Sequence, residues 1–157
     1  MIVTPAELDW VGKYISDAKV RIDIEKLIYK NLLQADSYWD PLRKSTKFTI
    51  TEDQKRELAK EVLRDEEVGL VRKIELAREY DEPNEAYIRV YLRKLLYDRH
   101  YDQAAALGAN HPDVVIEVVR MNIENLYLSD AENVIRRFLP ERKDLLREVR
   151  GIKKAFA

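Results

Sequence analysis

Apolar side chains recur every three or four residues along most of this chain, which is the spacing of one face of an α-helix. The first apolar stripe follows Thr4 and Pro5, a pair that suits the start of a helix, and the second runs from about residue 22 to residue 39. These two stripes predict an N-terminal helical hairpin over residues 1–40. Residues 41–50 contain Pro41 and show no helical period, so we predict that they form a linker.

From residue 51 onward, the apolar stripes occur in pairs. They predict helices over residues 52–65 and 67–80, 84–99 and 101–108, 113–127 and 129–138, and a last helix from residue 141. Pro83, Pro112 and Pro140 precede three of these helices at intervals of 29 and 28 residues, and an acidic residue follows each proline within two positions. Proline and an acid both suit the first turn of a helix, so the spacing predicts a repeat of about 28 residues in which the helices after the prolines run parallel.

The helix predicted over residues 113–127 is apolar around most of its circumference, whereas the last helix has one apolar stripe opposite a basic side. An inner unit of a helical array is covered on both sides, and a terminal unit needs a polar outer face. We therefore predict an all-α fold in which residues 51–157 form a short α-solenoid-like array of helix pairs after the N-terminal hairpin. A closed bundle of the same helices is the alternative.

Composition favours a folded, soluble chain. With 46% apolar and 36% charged residues and a net charge of −1, the sequence can form a core without strong self-repulsion. No apolar run approaches the roughly 18 residues of a membrane-spanning helix, and the first residues lack the basic and then apolar pattern of a secretory signal. We expect a cytoplasmic protein with no membrane contact, and the many charged residues beside only four glycines favour a thermophilic source.

Patterns that carry catalysis or bind metals are weak. His100 and His111 lie at a predicted helix end and in a predicted loop, and neither has an acid or a second histidine at the spacing of a helical metal site. The acids of the helix 52–65 lie beside a stripe of arginine and lysine, so we interpret this surface as a solvated face. The chain has no cysteine and no phosphate-loop, serine-hydrolase or metalloprotease signature. We therefore predict no catalytic residue, no metal site, no cofactor and no enzyme activity.

Two segments are candidates for binding a partner. The first, residues 86–101, alternates tyrosine with basic side chains, and its candidate residues are Tyr87, Arg89, Tyr91, Arg93, Tyr97, Arg99 and Tyr101. Tyrosine and arginine are frequent where proteins bind each other and where they stack on nucleic-acid bases, although Tyr87 and Tyr91 also have the spacing of core residues. The second is the basic C-terminal end, with the candidates Arg142, Arg147, Arg150, Lys153 and Lys154.

Charge is distributed unevenly along the chain. Residues 136–157 contain eight basic and three acidic residues, a net of +5, whereas residues 51–86 contain seven basic and twelve acidic residues, a net of −5. Such polarity steers a partner or arranges self-association, and it is also compatible with ordinary solubility.

These features favour a non-catalytic protein–protein interaction or scaffold module that binds another protein or a second copy of itself, with the N-terminal hairpin as the predicted contact of a homodimer. The alternative is nucleic-acid binding through the basic C-terminal end and the helix 86–101. The pI near 6.2 weighs against that alternative, because nucleic-acid-binding domains are usually strongly basic.

Overall fold

The computed structural model of the chain describes Trp10 and residues 13–156. These residues form nine α-helices and one 3-10 turn and contain no β-strand, so the prediction of an all-α fold is confirmed. The helices are α1 (Ala18–Gln34), α2 (Asp40–Ser45), α3 (Glu52–Arg64), α4 (Leu70–Glu79), α5 (Glu85–Tyr97), α6 (Tyr101–Asn110), α7 (Pro112–Glu124), α8 (Leu128–Phe138) and α9 (Lys143–Ala155), with the 3-10 turn Ser37–Trp39 between α1 and α2. No helix within these residues combines the length and apolarity that a bilayer span requires.

The chain packs as two compact units, Met1–Asn84 and Glu85–Ala157, which we call the N-terminal unit and the C-terminal unit. The linker that we predicted at residues 41–50 lies inside the N-terminal unit and is not the boundary between the two units. The reason is that α1 packs against α3, and α3 against α4, with Ile28 and Leu32 of α1 fully buried. Residues predicted as a separate hairpin therefore supply part of this core, while the first predicted helix lies mostly outside the described residues.

The segment predicted as a linker is ordered within the N-terminal unit. Its first half forms α2, and Pro41 occupies the first turn of that helix, where its missing amide hydrogen has no intrahelical partner to lose. The side chain of Arg43 is 2% exposed, and Ile50 is also buried. Thr49 donates both its amide and its hydroxyl hydrogen to the buried carboxylate of Glu25, which ties the end of the segment to α1.

A buried arginine closes the carboxyl end of α1. Arg72 of α4 donates from Nε to the carbonyl oxygen of Leu33 at 3.0 Å. Its guanidinium also donates to both carboxylate oxygens of Asp40, at 2.9 and 2.7 Å. Burial opposes the charge, but the carboxylates of Asp40 and Glu75 outweigh it and raise the pKa of Arg72. The contacts join α1, α2 and α4 through one side chain.

The C-terminal unit contains two helix pairs, α5–α6 and α7–α8, followed by α9. The turns within the pairs match, because Arg99 and Leu126 have left-handed φ angles of 62° and 61°, and in each turn the next amide donates to the carbonyl oxygen five residues before it at 2.8 Å. The turns after α6 and α8 match as well, with φ angles of −134° at His111 and −133° at Leu139. The backbone geometry of the turns therefore repeats at close to the predicted interval of about 28 residues.

One apolar core connects the helices of the C-terminal unit. Its buried members come from all five helices and include Leu92, Ala104, Val118, Ile135 and Val149. The predicted starts of α6, α7 and α8 agree with the structure to within one residue. The last helix starts two residues later than predicted, at Lys143, because Pro140 lies in a turn that is closed by a hydrogen bond from the amide of Arg142 to the carbonyl oxygen of Leu139.

Candidate interaction site

The repeated turns of the C-terminal unit border a cavity of about 310 Å³. It is lined by Leu96, Tyr97, Arg99, Asn122, Tyr127 and Asp130, and we call it the turn pocket. Leu96 and Asn122 are buried, whereas Tyr97 is 37% exposed and Tyr127 is 57% exposed. The pocket thus has a buried floor and two accessible tyrosines, which lie at the turns between the two helices of successive pairs.

An ion pair fixes one side of the turn pocket. Nε of Arg99 lies 3.0 Å from Oδ1 of Asp130, and Nη2 donates to Oδ2 at 3.1 Å. This two-bond contact joins the turn between α5 and α6 to the first turn of α8. A paired geometry of this kind positions an arginine more firmly than a single contact does. The predicted residue Arg99 therefore belongs to the frame of the pocket.

The arginines of α5 are held by acids of α7. Nη2 of Arg89 lies 2.7 Å from Oδ2 of Asp113, and Nε of Arg93 lies 2.9 Å from Oε2 of Glu117. In both pairs the acid follows the arginine by 24 residues, so α5 and α7 run in the same direction, as predicted for helices that follow the prolines. Two of the predicted partner-binding arginines therefore bind carboxylates of their own unit.

The tyrosines of α5 differ in exposure along the helix. Tyr91 packs against the apolar core, Tyr87 is half-buried, and Tyr97 reaches the surface. Partial burial raises the pKa of Tyr97, and the carboxylates of Glu117 and Glu124 raise it further. The Tyr97 hydroxyl therefore keeps its hydrogen at neutral pH and remains a donor.

Tyr101 lines a second cavity, which the structure places between α6 and α8. The cavity measures about 360 Å³ and is lined by Tyr101, Asn133, Arg136 and Arg137; we call it the arginine pocket. The ring of Tyr101 contacts that of Phe138 at a centroid distance of 6.2 Å, and the guanidinium of Arg137 lies 5.6 Å from its centroid. The Tyr101 hydroxyl is buried and has no hydrogen-bond partner among the described residues.

The predicted basic end does not form one cluster. Arg142 donates two hydrogen bonds to Asp144 at 3.0 Å each, and the bond from Arg142 lowers the pKa of Asp144 to about 2. Arg150 and Lys153 instead meet at Glu132 of α8, at 3.4 and 2.5 Å.

The remaining predicted basic residues lie on the outer surface of α9. Arg147 donates to the carbonyl oxygen of Lys143 at 3.3 Å, and Lys154 is exposed. The structure thus separates Arg142 and Arg147 from the pair Arg150 and Lys153.

The histidines and the row of acids make no metal site in the part of the chain that the structure describes. His111 contacts the carbonyl oxygen of Leu107 through Nδ1, at 3.0 Å, and a carboxylate oxygen of Glu85 through Nε2, at 2.8 Å. These contacts join the end of α6 to the start of α5. On α3, Glu57 and Glu61 form ion pairs with lysines at 3.3 and 3.1 Å, as expected for a solvated face.

Sequence analysis missed a polar network in the N-terminal unit. Arg43 donates to the two carboxylate oxygens of Glu79, at 2.7 and 2.6 Å, and to the hydroxyls of Tyr29 and Tyr80, at 3.1 and 3.0 Å. Burial opposes the charge of Arg43, but Glu79 and the tyrosine oxygens outweigh it and raise its pKa. A cavity of about 450 Å³ opens beside the network.

The Arg43 network is saturated by the protein itself. The remaining guanidinium hydrogens are directed at Asp40, and the hydroxyls of Tyr29 and Tyr80 bond to each other. No donor of Arg43 is therefore left for a ligand in the adjoining cavity. Its partners Tyr29, Glu79 and Tyr80 lie 14, 36 and 37 residues away in sequence, so no local pattern distinguishes Arg43 from an exposed arginine.

Comparisons of the chain with protein-family models, with curated proteins and with solved structures found no match. Function is therefore inferred from the chain's own surfaces. Among the cavities described above, the turn pocket combines a buried floor with exposed tyrosines and a fixed rim.

Proposed function

We propose that the C-terminal unit is a non-catalytic protein-binding module, acting in the cytoplasm, whose turn pocket receives a side chain of a partner protein. The observation that carries the proposal is the placement of Tyr97 and Tyr127, both exposed, around a pocket with a buried floor. Tyrosine gives a large contact area and a hydroxyl at a small cost in side-chain entropy, which is why it is frequent at the centres of protein interfaces.

The matched turns support an array of helix pairs as the scaffold of this module. Parallel α5 and α7 and the repeated left-handed residues Arg99 and Leu126 are the features expected of stacked units. In such an array, equivalent positions of successive units lie side by side. Tyr97 lies two residues before the left-handed Arg99, and Tyr127 lies one residue after the left-handed Leu126, so the two tyrosines come from the matched turns of successive pairs.

The charges of the C-terminal unit favour a protein partner over nucleic acid. Arg89, Arg93 and Arg99 of the predicted binding helix and turn each bind a carboxylate, and so does Arg142 of the basic end. Nucleic-acid affinity depends on cations that are available to phosphates. An arginine that already holds a carboxylate attracts a phosphate less, because the carboxylate offsets its charge.

Residue-specific photo-crosslinking tests the proposal. A photoreactive phenylalanine analogue at position 127, irradiated in extract of the source cells, should form adducts with protein that are lost when Tyr97→Ala is added. The matched control carries the same analogue in place of Tyr38, a tyrosine of the N-terminal unit that is 80% exposed. Identical adducts from both positions, or adducts that are removed by nuclease, would contradict a protein-binding turn pocket.

Oligonucleotide binding tests the alternative function directly. Fluorescence anisotropy at about 150 mM salt should give no dissociation constant below about 10 μM for single-stranded or duplex oligonucleotides, since only weak non-specific contacts are expected. Salt-dependent binding below about 1 μM would favour the nucleic-acid function instead.

A second copy of the chain is a further proposed partner, through the N-terminal unit. Val20 and Leu27 of α1 are 42% and 56% exposed and lie two turns apart on the helix, and Tyr38 is also exposed. A homodimer through this surface would bury them, and sedimentation equilibrium measures whether it forms. Deletion of residues 1–40 is not a clean test, because it also removes Ile28 and Leu32 from the core.

A further inference from the structure

Three cations share one carboxylate beside the arginine pocket. The side chain of Glu132 is 12% exposed. Its carboxylate oxygens lie 2.7 Å from Nη2 of Arg136, 3.4 Å from Nε of Arg150 and 2.5 Å from Nζ of Lys153. The hydrogen bond from Lys153 lowers the pKa of Glu132, with Arg150 and Arg136 adding to the effect against the opposing effect of burial. Glu132 is therefore ionised at neutral pH, and it neutralises one of three positive charges.

Arg137 is a fourth cation at the same place. It pairs with Asp102, whose side chain is 91% exposed, so solvent weakens this contact. Four cations thus contact the two carboxylates of Glu132 and Asp102, which leaves a surplus of two positive charges, and two of the four, Arg136 and Arg137, line the arginine pocket.

Two further polar side chains, Tyr101 and Asn133, line the arginine pocket. The buried hydroxyl of Tyr101 has no partner in the described part of the chain, and native proteins seldom leave a buried polar atom unpaired. Burial raises the pKa of Tyr101, and Asp130 adds to this, so the hydroxyl keeps its hydrogen. The side-chain amide of Asn133 brings two further N–H donors to the same cavity.

We propose that the arginine pocket binds a carboxylate side chain from an acidic segment of a partner protein. Arg136 and Arg137 line the pocket and each contacts a carboxylate of the protein through Nη2, and because a guanidinium carries five N–H groups, each arginine can also donate to a carboxylate of a ligand. The cavity of about 360 Å³ is large enough for such a group, and the surplus of positive charge attracts it. The site is separate from the turn pocket and adds a second contact to the C-terminal unit.

An acidic segment fits the surroundings of the pocket better than nucleic acid does. Glu132 and Asp102 border the cations and repel any anion, and this repulsion is larger for a continuous row of phosphates than for the few charges of a short peptide. A surplus of two positive charges is balanced by one or two carboxylates. The ligand class is therefore a short acidic peptide segment.

Calorimetric titration of the full chain with a blocked triglutamate peptide at low salt tests the proposal. We expect binding that falls with added salt and weakens about tenfold or more when Arg136→Gln and Arg137→Gln are combined. Arg142→Gln is the matched control, because Arg142 pairs with Asp144 outside the pocket, and it should leave the affinity within about twofold. A blocked trilysine peptide should not bind.

Circular dichroism separates ligand binding from folding. Tyr101→Phe should keep the helical circular dichroism of the chain and leave triglutamate binding within about twofold, because the Tyr101 hydroxyl is buried and the bound carboxylate contacts the exposed arginines. Arg136 and Arg137 are 57% and 51% exposed in their side chains, so their glutamine variants should also keep the fold. No triglutamate binding, equal weakening by Arg142→Gln, or tighter binding of inorganic phosphate or an oligonucleotide would each overturn the proposal.

Discussion

The N-terminal and C-terminal units differ in the charged side chains that they bury. In the N-terminal unit, Glu25, Arg43 and Arg72 lie within the core, and hydrogen bonds to other segments hold each of them. The core cluster of the C-terminal unit is apolar, and the ion pairs that join α5 to α7 lie at its surface. Both units have an apolar core, but the N-terminal unit also buries two arginines, whereas the buried charge of the C-terminal unit, Glu132, pairs with the exposed Arg136 and Arg150.

This difference has a consequence for how each unit responds to substitution. A buried charge that loses its partner stays in a medium that disfavours it, so the loss is concentrated at one residue. An exposed ion pair that is broken returns both charges to water. The same change from arginine to alanine is therefore expected to have very different effects in the two units.

Replacement of Arg43 by alanine should produce the largest effect. It leaves Glu79 and two tyrosine hydroxyls without their partner, and we expect the N-terminal unit to lose about 3–5 kcal/mol of unfolding free energy. Both tryptophans of the chain lie in this unit, so tryptophan fluorescence during urea unfolding reports on it. Arg89→Ala in the C-terminal unit is the control and should leave the unfolding free energy nearly unchanged, measured by circular dichroism. Equal losses would contradict the comparison.

Replacement of Val119 by alanine tests the apolar core of the C-terminal unit. Val119 is fully buried in α7, and truncation should cost about 2–4 kcal/mol, with no shift in the tryptophan transition. Val90→Ala on α5, where the side chain is 46% exposed, is the matched control and should change stability by about 0.5 kcal/mol or less. A cost under about 1 kcal/mol for Val119→Ala would show that the core tolerates the cavity.

The difference between the two units also determines how much of each unit could be predicted from the sequence. In the C-terminal unit, periodic apolar residues and turn signals lie close together in sequence, so helix boundaries and the repeat interval follow from local patterns. In the N-terminal unit, Arg43 and Arg72 look like exposed residues in the sequence. Their burial depends on partners that lie on other helices, namely Glu79 for Arg43, and Asp40 and Leu33 for Arg72. The sequence analysis therefore predicted a linker where the chain forms α2.

Only part of the candidate site follows from the sequence. Tyr97 and Arg99 line the turn pocket, and Tyr101 lines the arginine pocket, as residues of a predicted binding segment. The sequence does not show that Arg89 and Arg93 are bound by α7, because the register between the two helices decides this. It also does not single out Tyr127, which follows a left-handed residue in a turn.

Replacement of Gly108 by alanine tests the close packing of the repeated pairs. A Cβ atom at Gly108 would lie 2.6 and 2.8 Å from two ring atoms of Phe138, which packs against Tyr101, so the ring must move and we expect a loss of about 1–3 kcal/mol. Gly151 of α9 is the control because a Cβ atom there meets nothing within 4 Å, and its change to alanine should stabilise the helix by about 0.5–1 kcal/mol. Both effects are measured by urea unfolding, and a gain at both positions would show that α6 and α8 are less tightly packed than described.

The smallest expected effects come from removing one hydroxyl in each unit. Tyr80→Phe removes an acceptor for Arg43 and a partner of Tyr29, and should cost the N-terminal unit about 1–2 kcal/mol. Tyr101→Phe removes a buried hydroxyl that has no partner in the described residues, so its cost should be zero, or the change should stabilise the C-terminal unit by up to about 1 kcal/mol. Urea unfolding of both variants, followed by tryptophan fluorescence and circular dichroism, measures the difference.

The sign of the Tyr101→Phe effect also bears on the arginine pocket. A variant that is as stable as the original chain but binds triglutamate more weakly would mean that the bound peptide displaces neighbouring side chains and reaches the buried Tyr101 hydroxyl. A cost as large as that of Tyr80→Phe would instead mean that the hydroxyl has a structural partner, such as an ordered water. The two units would then be more alike, because a hydrogen bond of a buried tyrosine hydroxyl would stabilise each of them.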